Sequence, residues 1–133
     1  DARLGDLDAP LPPALHGAVD VLTAVVPYVP VDELVFLPRD VVAFEPRRAL
    51  DGGRDGVEVL SVVVGRSTQW LRPGGWVLLE IGGRQATAVI AAMQTAGLEE
   101  CTTLRDEEGD DRAVVGRRAR LTWPAAARRN RFA

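Results

Sequence analysis

Few residues of this chain could do chemistry, and most of them stand alone. The sequence has one histidine, His16, and one cysteine, Cys101, so it lacks the clustered ligands of a cysteine–histidine zinc site and cannot form an internal disulfide. Its serines, Ser61 and Ser67, stand in no Gly-x-Ser-x-Gly motif, the usual signature of a serine nucleophile. Nucleophilic and metal chemistry therefore explain this sequence poorly.

Two carboxylates are candidate acid–base groups. Glu80 lies near the carboxyl end of the apolar run Trp76–Ile81, so its side chain either points into a cleft or pairs with an arginine. Glu45 stands between an aromatic residue and a proline, and we expect it to anchor a long loop by accepting hydrogen bonds. His16 lies in a proline-rich loop and is expected to be exposed.

A rigid turn that displays a tyrosine is the more informative feature. The segment Ala18–Pro30 opens with β-branched and apolar residues, which is typical of a buried strand. Pro27 fixes its own backbone and keeps Val26 extended, so Tyr28 is displayed between two prolines. Ligands bind at the carboxyl ends of strands in open parallel sheets, which makes this turn a candidate site. A strand that simply ends at a proline beside a surface tyrosine is an equally good interpretation.

The elements around this turn predict an α/β fold. Residues 4–7 resemble a strand end and turn, and residues 30–53, rich in proline and glycine, read as a long functional loop. Apolar spacing predicts helices over 56–71, which Asp55 would cap, and 85–96, and strands over 76–81, 98–105 and 113–118. The run 76–81 is apolar on both faces and should be a central strand. The last two strands should form an antiparallel hairpin at one end of the sheet.

Composition and charge limit the function classes. A chain of 133 residues with 47% apolar and 26% charged residues fits one globular domain. No apolar run is long enough for a membrane span and no signal peptide is recognisable, so we expect a cytoplasmic protein that does not bind membranes. The net charge of −3 argues against nucleic-acid binding by the whole domain. We divide the chain into a domain at 1–118 and a basic, mobile tail at 119–133, which could bind phosphates but is expected to be solvated.

Several spaced motifs resemble one known family, the HemK/PrmC methyltransferases. They are Gly5-Asp-Leu7, Val19–Pro30, Asp40–Pro46, Ala49–Gly53, Leu71–Trp76, Glu80, Arg105-Asp106 and Val114–Arg117. That family methylates a glutamine side-chain nitrogen in peptide chain release factors, with S-adenosylmethionine as cofactor. The resemblance implies a partial Rossmann-like sheet, the fourth to seventh strands of a class I S-adenosylmethionine-dependent methyltransferase domain, ending in an antiparallel hairpin.

The same resemblance implies which residues form the site. Val25, Val26, Pro27 and Tyr28 match the family's substrate-binding motif, which is Asn-Pro-Pro-Tyr or Asn-Ala-Pro-Tyr. Asp6 and Leu7 would lie near the adenine of the cofactor, and Val25 near its methyl donor. Val25 replaces the asparagine that holds the substrate amide, and valine can neither donate nor accept a hydrogen bond. The chain is therefore a methyltransferase acting on glutamine or another group, or a non-catalytic binding or scaffolding module, or a nucleic-acid-binding or nucleic-acid-methylating protein.

A second departure concerns what precedes the match. The family's helical domain and its glycine-rich cofactor loop are missing, and the Gly-Gly pairs of this chain do not form the Gly-x-Gly-x-x-Gly pattern. The strand at Val19 would then have an open, apolar edge. We expect a fragment of a longer protein, or a chain whose edge is covered by the missing amino-terminal segment, a partner or a second copy.

Overall fold

The computed structural model describes residues 1–121. Within that range the regular elements are β1 (Val19–Ala24), α1 (Arg39–Phe44), α2 (Glu58–Trp70), β2 (Leu71–Glu80), α3 (Ala86–Thr95), β3 (Leu98–Arg105) and β4 (Asp111–Arg118). The predicted α/β class is confirmed. Most of the predicted basic tail, from residue 122 onward, lies outside the described residues. None of the helices in the described range combines the length and the apolar character that crossing a membrane requires.

The strands form one mixed sheet in the order β1-β2-β4-β3. β1 and β2 are parallel, whereas β4 runs antiparallel to both of its neighbours. The predicted hairpin of β3 and β4 is therefore confirmed, and β2 lies inside the sheet as its two apolar faces predicted. Among the described strands β1 forms an edge, on which Val21 is 56% exposed.

The core lies between the sheet and two helices. α2 and α3 pack against each other and against the sheet. Their buried apolar side chains contact alternate residues of the central strands; this core includes Leu60, Val64, Val77, Leu79, Val89, Met93 and Val114. Side chains of a strand alternate between its two faces. Trp76, Leu78 and Glu80 consequently lie on the opposite face of β2, where they are half-buried.

The structure differs from the sequence-based expectation in how β2 begins. The strand predicted over 76–81 begins five residues earlier, at Leu71, so that β2 follows α2 directly without an intervening turn. Val19 pairs with Leu71 while Val21 pairs with Trp76, so the extra residues form a bulge opposite β1. A bulge tolerates the proline and glycines of this segment because its residues are excluded from the regular ladder.

The segment before α2 also differs. Residues 30–53, expected to be a loop, contain α1 and two 3₁₀ helices at Val31–Phe36 and Arg47–Ala49. Each of these short helices begins directly after a proline, because proline can occupy the extended residue before a first turn although not a helix interior. Asp55 does not cap α2, whose N-cap is Val57. Residues 4–7 form a turn without a strand.

Candidate functional site

The carboxyl ends of β1 and β2 meet at the Tyr28 turn, which we define as Val25–Tyr28. The two strands are parallel, and the pairing of Ala24 with Leu79 brings their ends to the same edge. The Tyr28 hydroxyl donates a hydrogen bond of 2.8 Å to Oε1 of Glu80. Of the two expectations for Glu80, its position in a cleft is confirmed, and its partner there is a tyrosine rather than an arginine.

Tyr28 and Glu80 border an open cavity of about 420 Å³. Its polar and apolar walls include Thr23, Val25, Tyr28, Glu80 and Arg112. The hydrogen bond to Glu80 raises the pKa of Tyr28 above its ordinary value, burial and the carboxylate charge raise it further, and Arg112 opposes them. The Tyr28 phenol therefore stays protonated at neutral pH and acts as a hydrogen-bond donor.

The structure separates the four residues that the resemblance assigns to the substrate. Val25 is 75% exposed and borders the same cavity as Tyr28. Val26 is only 8% exposed and belongs to the core, while Pro27, between Val26 and Tyr28, is half-buried. Val25 and Tyr28 are thus brought together, and Val26 contributes packing. Substrate binding by these residues stays a prediction.

The three residues assigned to the cofactor do not share one cavity. Asp6 and Leu7 lie in an exposed turn, where Leu7 adopts a left-handed backbone with φ 48°. Both border Pro27, on a surface depression separate from the cavity beside Tyr28. Val25 lines the latter. Cofactor contacts at all three residues stay a prediction.

An apolar cavity of about 240 Å³ lies between the amino-terminal segment, β1 and α2. Leu7, Leu22, Val26, Val63 and Trp70 are among its walls. Such walls fit the faces of a flat aromatic ring such as the adenine of S-adenosylmethionine. The described residues therefore fit one end of that cofactor.

Asp8 fixes the amino-terminal segment beside this cavity. Its carboxylate accepts hydrogen bonds of 2.6 Å from Arg66 and 2.8 Å from the indole of Trp70. The Arg66 guanidinium, followed by the Trp70 indole, holds the pKa of Asp8 below its ordinary value. The segment that carries Asp6 and Leu7 is thereby tied to α2.

One polar residue of the site has no counterpart in the sequence-based expectations. Gln85 is only 6% exposed, and its side-chain amide donates to the backbone carbonyl of Tyr28 at 2.6 Å. The available signal was a single amide side chain two residues after Gly83 and just before an apolar helix. Its partner lies 57 residues away in the sequence, so no local pattern identifies the contact.

The other candidates are structural or exposed. His16 is exposed as expected, and its ring stacks on Trp70 with centroids 4.0 Å apart. Glu45 is exposed, and no hydrogen bond to its carboxylate occurs within residues 1–121, so the expected loop anchor is wrong. Ser67 is buried and donates to the carbonyl of Val64 in its own helix. The described part of the chain holds no group of three or more His, Cys, Asp or Glu side chains that could bind a metal.

The chain is similar in sequence to several curated proteins of one name. The chain is 39% identical over 98 residues to the release factor glutamine methyltransferase of Geobacter sulfurreducens. The aligned region covers 74% of this chain and 34% of that relative. The proteins of that name in Cereibacter sphaeroides and Mycobacterium leprae are 37% and 36% identical over 117 and 116 residues, or 88% and 85% of this chain. This chain is a relative of the release factor glutamine methyltransferases. It spans 34% to 41% of the length of these three proteins.

No family model matches the chain. The crystal structure of the antibiotic-resistance methyltransferase Kmr aligns with 86% of this chain and 57% of its own, with 16% sequence identity and a TM-score of 0.47.

Proposed function

We propose that this chain forms the substrate-binding part of a methyltransferase of the release factor glutamine type, with S-adenosylmethionine as methyl donor. The observation that carries the proposal is the Tyr28 turn at the carboxyl ends of two parallel strands. Pro27 and Tyr28 match the last two residues of the family motif, and the hydroxyl of Tyr28 is held by Glu80. Similarity to proteins of that name over 74% to 88% of the chain supports the proposal.

In this proposal the substrate is a glutamine side-chain amide of a peptide chain release factor. S-adenosylmethionine, when bound, supplies an electrophilic methyl group. Asp6 and Leu7 would lie at the adenine end of this cofactor, and Val25, in the separate cavity beside Tyr28, would lie near its methyl group. Tyr28 forms one wall of the amide pocket, and Val25 occupies the position of the family's asparagine. Because valine offers no polar atom, the amide loses partners worth about 1–3 kcal/mol each, and transfer to glutamine should be slow.

The second candidate is a non-catalytic binding or scaffolding module that uses the same cavity. Val25 favours it specifically, since an apolar side chain at the amide-holding position removes the orientation on which transfer depends. Both candidates need the same turn and cavity, so only a measurement of methyl transfer separates them.

The test uses a chimera in which this chain replaces the matching region of the Geobacter sulfurreducens relative. Transfer of a labelled methyl group from S-adenosylmethionine to a release factor is measured for the chimera and for its Val25→Asn variant. We expect Val25→Asn to raise the rate at least about tenfold, because one regained hydrogen bond of about 1.4 kcal/mol suffices for that factor. Val35→Asn is the matched control, since Val35 is 77% exposed, as Val25 is at 75%, and it does not line the cavity beside Tyr28.

The outcomes separate the candidates. An increase for Val25→Asn but not for Val35→Asn supports a methyltransferase weakened at its amide site. Binding of S-adenosylmethionine without transfer by any variant favours the non-catalytic module. A folded chimera that neither binds the cofactor nor transfers methyl groups contradicts the methyltransferase proposal.

We also propose that another strand covers the edge of β1, supplied by the remainder of a longer methyltransferase or by a second copy. The exposure of Val21 in β1 and of Val25 directly after it supports this, because proteins normally cover apolar strand edges. We propose a cytoplasmic location for the assembly, which the single cysteine favours.

A further inference from the structure

The side chain of Gln85 joins three segments that are far apart in the sequence. Its Nε2 donates to the backbone carbonyl of Tyr28 at 2.6 Å and to that of Asp55 at 3.3 Å. Its Oε1 accepts from the backbone N–H of Gly82 at 2.9 Å. One amide therefore ties the turn after β1, the loop before α2 and the turn after β2.

These bonds require a glutamine. The amide uses two donors and one acceptor, a combination that neither a carboxylate nor an apolar side chain of similar length offers. At 6% exposure the amide is shielded from solvent, so lost bonds would not be replaced by water without rearrangement. No other side chain of similar length could therefore make all three of these hydrogen bonds.

Gly56 lets the three segments approach this closely. A Cβ at residue 56 would overlap both the Nε2 of Gln85 and the carbonyl oxygen of Tyr28, and the backbone of Gly56 is left-handed at φ +71°. The residue after Tyr28 is held as well: the backbone N–H of Val29 donates to the carbonyl of Leu50, and the carbonyl of Val29 accepts from the N–H of Gly52, both at 2.9 Å. The backbone of Tyr28 is consequently fixed from two sides.

We infer that Gln85 is the positioning residue of the Tyr28 turn: by holding the carbonyl of Tyr28, it sets the place from which the hydroxyl of the same residue reaches Glu80. The inference rests on the proposed function only in taking this turn as the site. The 2.8 Å bond from Tyr28 to Glu80 is the consequence that can be observed.

A purely stabilising role is the alternative. Gln85 is the N-cap residue of α3, but its side chain makes no capping bond to that helix and instead binds the preceding Gly82. A substitution could lower stability without moving Tyr28. The experiment therefore needs a signal that reports the bond between Tyr28 and Glu80 rather than folding.

Tyr28 is the only tyrosine of the chain, so a ¹³Cζ-tyrosine label gives a single signal in the 133-residue protein. Glu80→Gln keeps an acceptor for the phenol but removes the charge that strengthens the bond, so this substitution should shift the Tyr28 signal at pH 7. The charged side chains that face Tyr28 are Glu80 and Arg112, and Arg112 stays constant throughout. We expect the shift caused by Glu80→Gln to fall by at least half when Gln85→Met is also present.

Gln94→Met is the matched control, since Gln94 is an exposed glutamine on the same helix. It should leave the full shift. Should Gln85→Met fail to fold, Gln85→Glu takes its place, because a carboxylate at a helix amino terminus is favourable while the two donors are lost. An unchanged shift in a folded Gln85 variant overturns the inference. Neither S-adenosylmethionine nor a release factor is needed, so failure of the proposed function leaves this result interpretable.

Discussion

Replacing Gly56 by alanine should destabilise the chain more than replacing a glycine that also has a left-handed backbone but has free space around it. Gly56 is buried at the point where the Tyr28 turn, the Asp55 loop and the Gln85 amide converge. A methyl group there meets a backbone carbonyl, which cannot rotate away as a flexible side chain could. The segments must separate, or the backbone at residue 56 must change.

Gly97 provides the reference for the magnitude. It has φ +81°, close to that of Gly56, but a Cβ at this residue would meet nothing within 4 Å. Gly97→Ala should cost only the left-handed backbone, about 1–2 kcal/mol. Gly56→Ala pays the same cost plus an overpacking cost of about 1–3 kcal/mol, so the difference between the variants isolates the contact.

Unfolding in urea, followed by the fluorescence of the three tryptophans, measures both variants. The extra loss for Gly56→Ala corresponds to a melting temperature about 4–12 °C below that of Gly97→Ala, taking about 4 °C per kcal/mol for a domain of this size. In the folded fraction, the Tyr28 signal should move in Gly56→Ala alone. Equal destabilisation by the two substitutions, with Tyr28 unmoved, would refute the close approach at Gly56.

Three further substitutions or conditions test other parts of the fold. Gly65→Ala, in an exposed helix position with open space around it, should stabilise the chain by about 1 kcal/mol in urea unfolding; a loss would contradict the helical placement. Asp8→Asn should cost about 1 kcal/mol at pH 7 by weakening the bonds from Arg66 and Trp70. Because folding lowers the pKa of Asp8, its stabilisation is present above the ordinary value of 3.8 and is lost as the pH falls through the folded value, so the difference between the two proteins should shrink as the pH falls below 3.8. Burial raises the pKa of the Cys101 thiol, so its alkylation at pH 8 should be slower in the folded protein than in urea; equal rates would contradict its burial.

Local patterns in the sequence were sufficient to predict the elements whose apolar residues recur at a regular spacing. The apolar stripe around Leu60 and Val64 predicted α2 to within two residues at its start and one at its end, and β3 has the predicted bounds of 98–105. In α2 the residues that satisfy the pattern, Leu60 and Val64, are also buried in the core, so local preference and burial agree.

Elements that depend on distant partners were missed. Prolines at 30, 38 and 46 indicated a loop, whereas each is the N-cap residue of a short helix. The early start of β2 depends on pairing with Val19, and no pattern within residues 71–75 contains that information. The role of Gln85 was missed for the same reason, because the carbonyl groups that it binds lie in two other loops.

The Tyr28 turn itself was identified from its residues. Which of its residues line the cavity and which pack in the core was not predicted. Alternation along an extended chain could have indicated that Val25 and Val26 point to opposite sides, one to the cavity and one to the core. The separation of Asp6 and Leu7 from the cavity at Val25 depends on how Asp8 ties the amino-terminal segment to α2, which is a tertiary contact.

The most direct test of the central claim, that this chain carries the site of a methyltransferase, is a calorimetric titration of S-adenosylmethionine. The titration compares the 133-residue chain with the chimera that completes it from the Geobacter sulfurreducens relative. We predict micromolar binding by the chimera and weaker or no binding by the chain alone, because the cofactor residues described here fit only one end of the ligand. A cooperatively folding chimera that shows no heat of binding, while the unaltered relative binds under the same conditions, would contradict the claim.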